Sequence, residues 1–294
     1  MRGCYAARGG VPIAIGTSHG SIGEATERNA QHGAIRSMLL NKDWYGYFLK
    51  LRWGAVRTMT PRRTVHSRGL RLTLQCDNRI THYRWRTYNS KESETLDWID
   101  QWVRDGDTVF DIGANIGVYS LYIARRHPRA NVVAFEPEYA NLHLLRDNIV
   151  ENGLQERIDV YGMALSNHSG VSYLHLQDLT PGAALHSESL QPLTLTHSQR
   201  PVIWREGIYA TTLDQFCEQT GLQPHSLKID VDGGELAVLE GGERTLRSEH
   251  LRSLIIETDP QLRDACAKRL SDAGFHQSRW EPERRGMNEI WVRR

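Results

Sequence analysis

"TVFDIGANIGVYSLYIARRH", residues 108–127, runs a short apolar strand into a glycine turn and then into a helix that stops before Pro128. The strand is "TVFDI"; the helix, "GVYSLYIARRH", carries its apolar residues at helical spacing. Asp111, Gly113, Asn115 and Gly117 therefore fall at the carboxyl end of a strand, where open α/β sheets bind ligands. Glycines there let the backbone turn tightly, and the amides that open the following helix favour a carboxylate or phosphate.

Strand and helix alternate onward from this point. "NVVAFE" and "RIDVYGMA" read as the second and third strands, separated by a helix from Glu138 to about Glu151. "SLKIDV" and "LRSLIIET" read as the fourth and fifth, with "GELAVLEGGERTL" as one helix between them. "PQLRDACAKRLSDAG" is a further helix, and "FHQSRW" and "NEIWVRR" close as an antiparallel pair. The alternation implies a mostly parallel sheet with helices on both faces. Residues 170–210, with Pro, Ser and His and two short alternating runs, read as an insertion or lid.

The glycine loop distinguishes two cofactor classes. A dinucleotide site prefers G-x-G-x-x-G, whereas residues 113–117 offer only G-x-x-x-G. Asp111 would repel a pyrophosphate but suit the cationic charge of S-adenosylmethionine. Glu136 ends the second strand, about 20 residues on, where a carboxylate can hold ribose hydroxyls. Met163 and Ala164, just past the third strand, are candidates for flanking adenine.

"LKIDVDGGEL", residues 227–236, crowds charge onto a central strand that should be apolar on both faces. Lys228 and Asp230 lie two apart and so share one side, near the crevice. Asp230 is the candidate base or positioning group, with Lys228 as its partner or a substrate contact. Glu235, in the first turn of the next helix, is a third candidate and equally a helix N-terminal acid. His168, His175 and His186, in or near the insertion, are other candidate bases. A calcium loop beginning at Asp230 fails, because Glu235 stands where glycine is required and Gly241 where glutamate is required. No dedicated metal site is read, although Asp230 and Asp232 share a face that would suit hydrated magnesium.

The stretches "VFDIGANIGVYSLYIA", "VVAFEPEYANLHLLRDNIVENGL", "ATTLDQF" and "LKIDVDGGELAVLEGGERTL" together resemble the FkbM family of S-adenosylmethionine-dependent methyltransferases, from about residue 105 to 258. The resemblance implies a Rossmann-like class I methyltransferase fold with seven strands, mostly parallel and the last antiparallel. It also implies methyl transfer, typically to a hydroxyl of a sugar, polyketide or related metabolite. Carried over, Gly113, Asn115 and Gly117 border the methionine part of the cofactor and Glu136 its ribose. Gly234 departs from the alanine common there in the family. The alternatives are an NAD-dependent oxidoreductase, or a non-catalytic binding protein on the same fold.

The remaining sequence bounds these readings. The formal net charge of +1 gives no drive towards nucleic acid, and four scattered cysteines fit a reducing cytoplasm better than a disulfide scaffold or zinc site. Residues 1–34 read as a loose segment and 35–104 as an extension of helix, hairpin and helix, with the methyltransferase domain over 105–294. In the extension, apolar residues from Ile35 to Val56 recur at helical spacing with Lys and Arg between them, suiting core packing or a peripheral membrane contact through residues 35–58. Residues 64–84 read as a β-hairpin turning at "CDN", and "ESETLDWIDQWV" as a helix. The acceptor is expected to be a small molecule or glycan, and oligomeric state is not legible.

Overall fold

The computed structural model describes residues 46–52, 59, 61–279 and 288–293. The chain divides into two compact units, 1–59 and 60–294. In the first, residues 46–52 are helical, with Tyr47 and Leu51 exposed; the loose segment and the rest of the amphipathic run lie outside the described residues. Among the described residues no helix is long and apolar enough to cross a membrane.

The second unit opens with a hairpin, β1 (Arg62–Ser67) and β2 (Leu70–Gln75). Its turn is Arg68-Gly69, both with positive φ, not "CDN" as the sequence suggests. Two left-handed residues match the twist of the flanking strands. The residues read as the second strand are instead a helix, α1 (Arg79–Arg86). Asn78 starts it with a reciprocal cap: its Oδ1 accepts from the amides of Ile80 and Thr81, and the Thr81 hydroxyl accepts from the Asn78 amide. Helix α2 (Ser93–Trp102) follows as expected.

From β3 (Thr108–Ile112) the body alternates through α3 (Val118–Arg126), β4 (Asn131–Phe135), α4 (Tyr139–Glu151) and β5 (Ile158–Tyr161). Further on come α5 (Leu213–Thr220), β10 (Ser226–Ile229), α6 (Glu235–Glu240), α7 (Glu243–Arg247), β11 (Ser253–Glu257) and α8 (Arg263–Asp272). The strands β12 (His276–Arg279) and β13 (Asn288–Val292) end the described chain. The seven-stranded sheet has the order β12-β13-β11-β10-β3-β4-β5, in which β13 alone runs antiparallel to its neighbours. This is the class I methyltransferase architecture. Strand order reverses between β3 and β10, so the crevice for a ligand opens there.

The single helix expected over "GELAVLEGGERTL" is two, α6 and α7, broken at Gly241-Gly242. A Cβ on Gly241 would stand 2.1 Å from the Ser166 carbonyl oxygen, so only glycine allows that approach. The stretch read as an insertion, 170–210, joins Ala164–Leu165, which precede it, in a second sheet of order β6-β9-β7-β8. Its strands are β6 (Ala164–Leu165), β7 (Gly170–Leu176), β8 (Ser187–Ser189) and β9 (Trp204–Thr211).

Successive strand residues feed opposite cores, as a sheet covered on both sides requires. Val109, Val132 and Ile255 join Leu72, Leu74, Trp98 and Leu121 on one face. Phe110, Val133 and Leu254 join Phe216, Val238 and Leu270 on the other. In this second core Phe216 meets Phe135 and Tyr161 edge-on, each at 4.8 Å between ring centres, and Phe110 at 5.6 Å. Truncating Phe216 to alanine should cost about 3–5 kcal/mol, read as a lowered urea midpoint at unchanged slope.

Candidate active site

The two loops at the switch point touch. Gly113 has φ +79°, and a Cβ there would lie 1.8 Å from the Asp230 carbonyl oxygen. Asn115, at φ 50°, turns its amide N–H to Glu136 Oε2 at 2.8 Å. The Glu138 amide donates to Glu136 Oε1 at 2.9 Å. Glu136 is buried, and burial pushes its carboxyl up to about 7 despite these two donors. Gly117 caps α3 against Leu145 rather than facing open space.

Beyond these loops lies a cavity of about 770 Å³. Of the residues singled out in the sequence, Gly113, Asn115, Glu136, Met163, Ala164 and Asp230 line it. Asp111, Gly117, Lys228 and Glu235 lie outside its wall. Glu235 accepts from the Gly233 amide at 2.9 Å, which is a helix-start role.

The insertion covers one side of the cavity, held largely by main-chain atoms. The Ala183 carbonyl accepts from Asn115 Nδ2 at 2.7 Å and Asn141 Nδ2 at 3.1 Å, while the Gly182 amide donates to Asn141 Oδ1 at 2.7 Å. Arg84 Nε donates to the Gly182 carbonyl at 2.8 Å, and Asn78 Nδ2 to that of Pro181 at 3.0 Å. The Leu185 amide donates to Asp232 Oδ2 at 2.6 Å. Burial, with the charge of Asp230 next, pushes Asp232 up to about 7. Asp232 thus serves the lid as well as its own turn. His175 is buried and tied to the Ser187 carbonyl and the Leu193 amide. His186 lines the cavity with both ring nitrogens buried and unpartnered, and burial lowers it to about 4, so it is neutral near pH 7.

Beneath the floor is a cluster of charge. Lys228 and Asp111 face each other across β10 and β3, and Lys228 Nζ sits 3.1 Å from Asp111 Oδ1 and 3.3 Å from Asp230 Oδ2. Ser120 Oγ donates to Asp111 Oδ2 at 2.5 Å, and Lys228 Nζ lies 5.4 Å above the Tyr119 ring. Burial opposes the ammonium charge, yet Asp111 and Asp230 outweigh it and the Lys228 pKa is raised.

Two acids that the sequence reading left aside complete the cluster. Tyr119 Oη donates to Glu92 Oε2 at 2.6 Å, and Lys91 pairs with Glu92. Glu257, at the end of β11 and on the cavity wall, brings a carboxylate oxygen within 4.8 Å of Asp230 and of Glu92. Burial, then the charges of Asp230 and Glu92, push Glu257 up to about 9. The rule that selects Asp230, a carboxylate at a strand's carboxyl end, also selects Glu257 from "SLIIET". Glu92 carries no such signal, since an acid before a helix is ordinary.

Replacing Lys228 with methionine would leave Asp111 and Asp230 uncompensated, for a loss of about 3–5 kcal/mol in denaturant titrations. Adding Asp111→Asn should recover part of that loss. Glu136 and Glu257 both have folded pKa values above the ordinary 4.5, so the folded state holds protons that the unfolded chain has released. Their contribution is fully favourable below that value and fades as pH rises through about 7 and about 9. Melting temperature should therefore fall as pH rises from about 4.5 to about 9, and fall less in Glu257→Gln.

Comparison with known proteins identifies the family. The family model for the methyltransferase FkbM domain matches residues 111–276. Methyltransferase sdnD of Sordaria araneosa is 27% identical over 61% of this chain and 79% of its own length. The 31-O-demethyl-FK506 methyltransferase FkbM of Streptomyces tacrolimicus is 32% identical over 48% of this chain, a match that spans 61% of that protein. The 2-O-methyltransferase NoeI of Sinorhizobium fredii is 28% identical over 47% of this chain and 58% of its own. Among solved structures, methyltransferase FkbM from Methylobacillus flagellatus KT aligns with a TM-score of 0.44 at 19% identity, covering 65% of this chain and 44% of that one. One family model that matches more than half the chain gives its family: it belongs to the FkbM-domain methyltransferases.

Proposed function

We propose that the chain is an S-adenosylmethionine-dependent O-methyltransferase acting on a hydroxyl of a small metabolite or glycan-like acceptor. The observation that carries this reading is the charge of the cavity wall. Glu136, Asp178, Glu188, Asp230, Asp232 and Glu257 line it against Arg84 and Lys91, so acids outnumber cations even with Glu257 protonated and burial holding part of Glu136 and Asp232 neutral near pH 7. Such a wall favours a cofactor bearing cationic charge and disfavours a dinucleotide's pyrophosphate. Two relatives whose names specify methylation at oxygen add support for a hydroxyl acceptor.

When bound, S-adenosylmethionine supplies an electrophilic methyl group on a positively charged sulfur. Glu136 would hold the ribose, because each of its oxygens spends only one acceptor position on a backbone amide. Gly113 and Asn115 would border the methionine part, and Met163 and Ala164 the adenine. Asp230 is the member of the Asp111–Lys228–Asp230 group that reaches the cavity wall, so it would orient the acceptor hydroxyl and take its proton. Lys228, fixed from below by Asp111, sets the position of that carboxylate. The insertion would shield the acceptor from one side, and His186 offers a neutral ring to acceptor hydroxyls.

A thermal-shift panel tests the cofactor: S-adenosylmethionine and S-adenosylhomocysteine should raise the melting temperature and NAD should not. The opposite pattern would overturn the proposal. Asp230→Asn should bind S-adenosylhomocysteine with nearly unchanged affinity while turnover on an identified acceptor falls about 10²-fold or more. Full activity in that variant would remove Asp230 from the chemistry.

A further inference from the structure

Four carboxylates, Asp111, Glu92, Asp230 and Glu257, meet beneath and beside the cavity, and two ammonium groups answer them. Lys228 is committed to Asp111 and Asp230, and Lys91 to Glu92. Among the described residues Glu257 has no cation in ion-pair contact. Oxygens of Glu92, Asp230 and Glu257 all lie within 4.8 Å of one another. Carboxylates this close and largely buried disfavour simultaneous ionisation, so one of them tends to keep a proton.

We propose that Asp230 and Glu257 hold one proton between them in the free protein, and that the cationic charge of the cofactor expels it from the cavity wall, arming the pair to take the acceptor's proton. This rests on the S-adenosylmethionine reading and adds a role for Glu257, which acts through Asp230 as a positioning residue.

The groups facing Glu257 determine the sign. Asp230 and Asp232 follow β10, Lys228 lies within it, and Asp111 faces Lys228 from β3. Glu92 and Lys91 precede α2, Tyr119 of α3 is bonded to Glu92, and Asn288 of β13 stands opposite Glu257 in the sheet. Acids outnumber cations in this set, so the proton is retained until a further positive charge enters. A cation in the cavity then stabilises the ionised pair by the same Coulomb interaction that had opposed it.

The protons balance over a turnover. As the acceptor oxygen bonds to the methyl carbon, sulfur keeps the electron pair of the bond that breaks. The hydroxyl proton passes to the Asp230–Glu257 pair, which returns to its singly protonated state. That proton leaves for solvent when the next cofactor cation arrives. Binding and proton loss are therefore linked, and each must affect the other equally.

Isothermal titration calorimetry of the full chain, in buffers of different ionisation enthalpy near pH 7.5, reads the proton directly. The expected result is release of roughly one proton per S-adenosylmethionine bound, and measurably less with S-adenosylhomocysteine, which lacks the sulfonium charge. Glu257→Gln should bind S-adenosylmethionine with that release lost. If this variant fails to fold, the wild type still gives a test: its affinity should rise by close to tenfold per pH unit between about 6.5 and 8.5. Binding whose enthalpy and affinity ignore buffer and pH would overturn the inference while leaving the cofactor assignment intact, as would undiminished release from Glu257→Gln. No binding of either compound would instead overturn the cofactor assignment.

Discussion

A lysine held between two aspartates at the point where the sheet reverses direction is the constraint on which the rest of the site depends. Lys228 is almost fully buried on a central strand, and its ammonium group reaches Asp111 and Asp230 together. Removing two carboxylates and an ammonium from water carries a large desolvation cost, recovered only when their mutual geometry is good. Here the partners come from adjacent parallel strands in direct register, so the sheet itself sets the distance. The same register brings the Gly113 loop against the Asp230 carbonyl. Loop closure, buried charge and the position of the Asp230 carboxylate are thus one geometric fact.

Much of this could be read from the chain alone because its elements carry strong local signals. "TVFDI", "NVVAF" and "SLIIE" are apolar runs bounded by turns, and each forms the expected strand. The antiparallel closing pair was legible from two alternating runs near the end of the chain. Cavity residues Gly113, Asn115, Glu136 and Asp230 follow from a single rule, that parallel sheets bind at carboxyl strand ends.

What escaped the sequence was decided by interactions between distant residues. Arg68-Gly69 forms the hairpin turn, while the more turn-like "CDN" is claimed by a helix cap. A continuous helical pattern breaks at Gly241 because Ser166, some 75 residues earlier, packs its carbonyl there. Glu92 joins the charged cluster only through Tyr119, a contact with no trace in spacing or composition. The sequence also sets the hairpin apart from the catalytic body as an extension. In the structure both lie within the compact unit 60–294, and Leu72 and Leu74 of the hairpin share a core with Leu121 and Val132.

The way the insertion is fastened has an evolutionary consequence. At its clasp, the body contributes side chains, those of Asn78, Arg84, Asn115, Asn141 and Asp232. The insertion answers with backbone carbonyls and amides at Pro181, Gly182, Ala183 and Leu185. Every residue type carries a carbonyl, and all but proline an amide. The clasp therefore constrains the insertion's backbone path and, through it, Gly182, where a φ of +89° and an added Cβ 3.2 Å from Thr81 Cγ2 favour glycine. The side chains of Leu185, His186 and Leu195 line the cavity without taking part in the clasp, so that wall can vary in sequence while its fastening and the charged floor stay as they are.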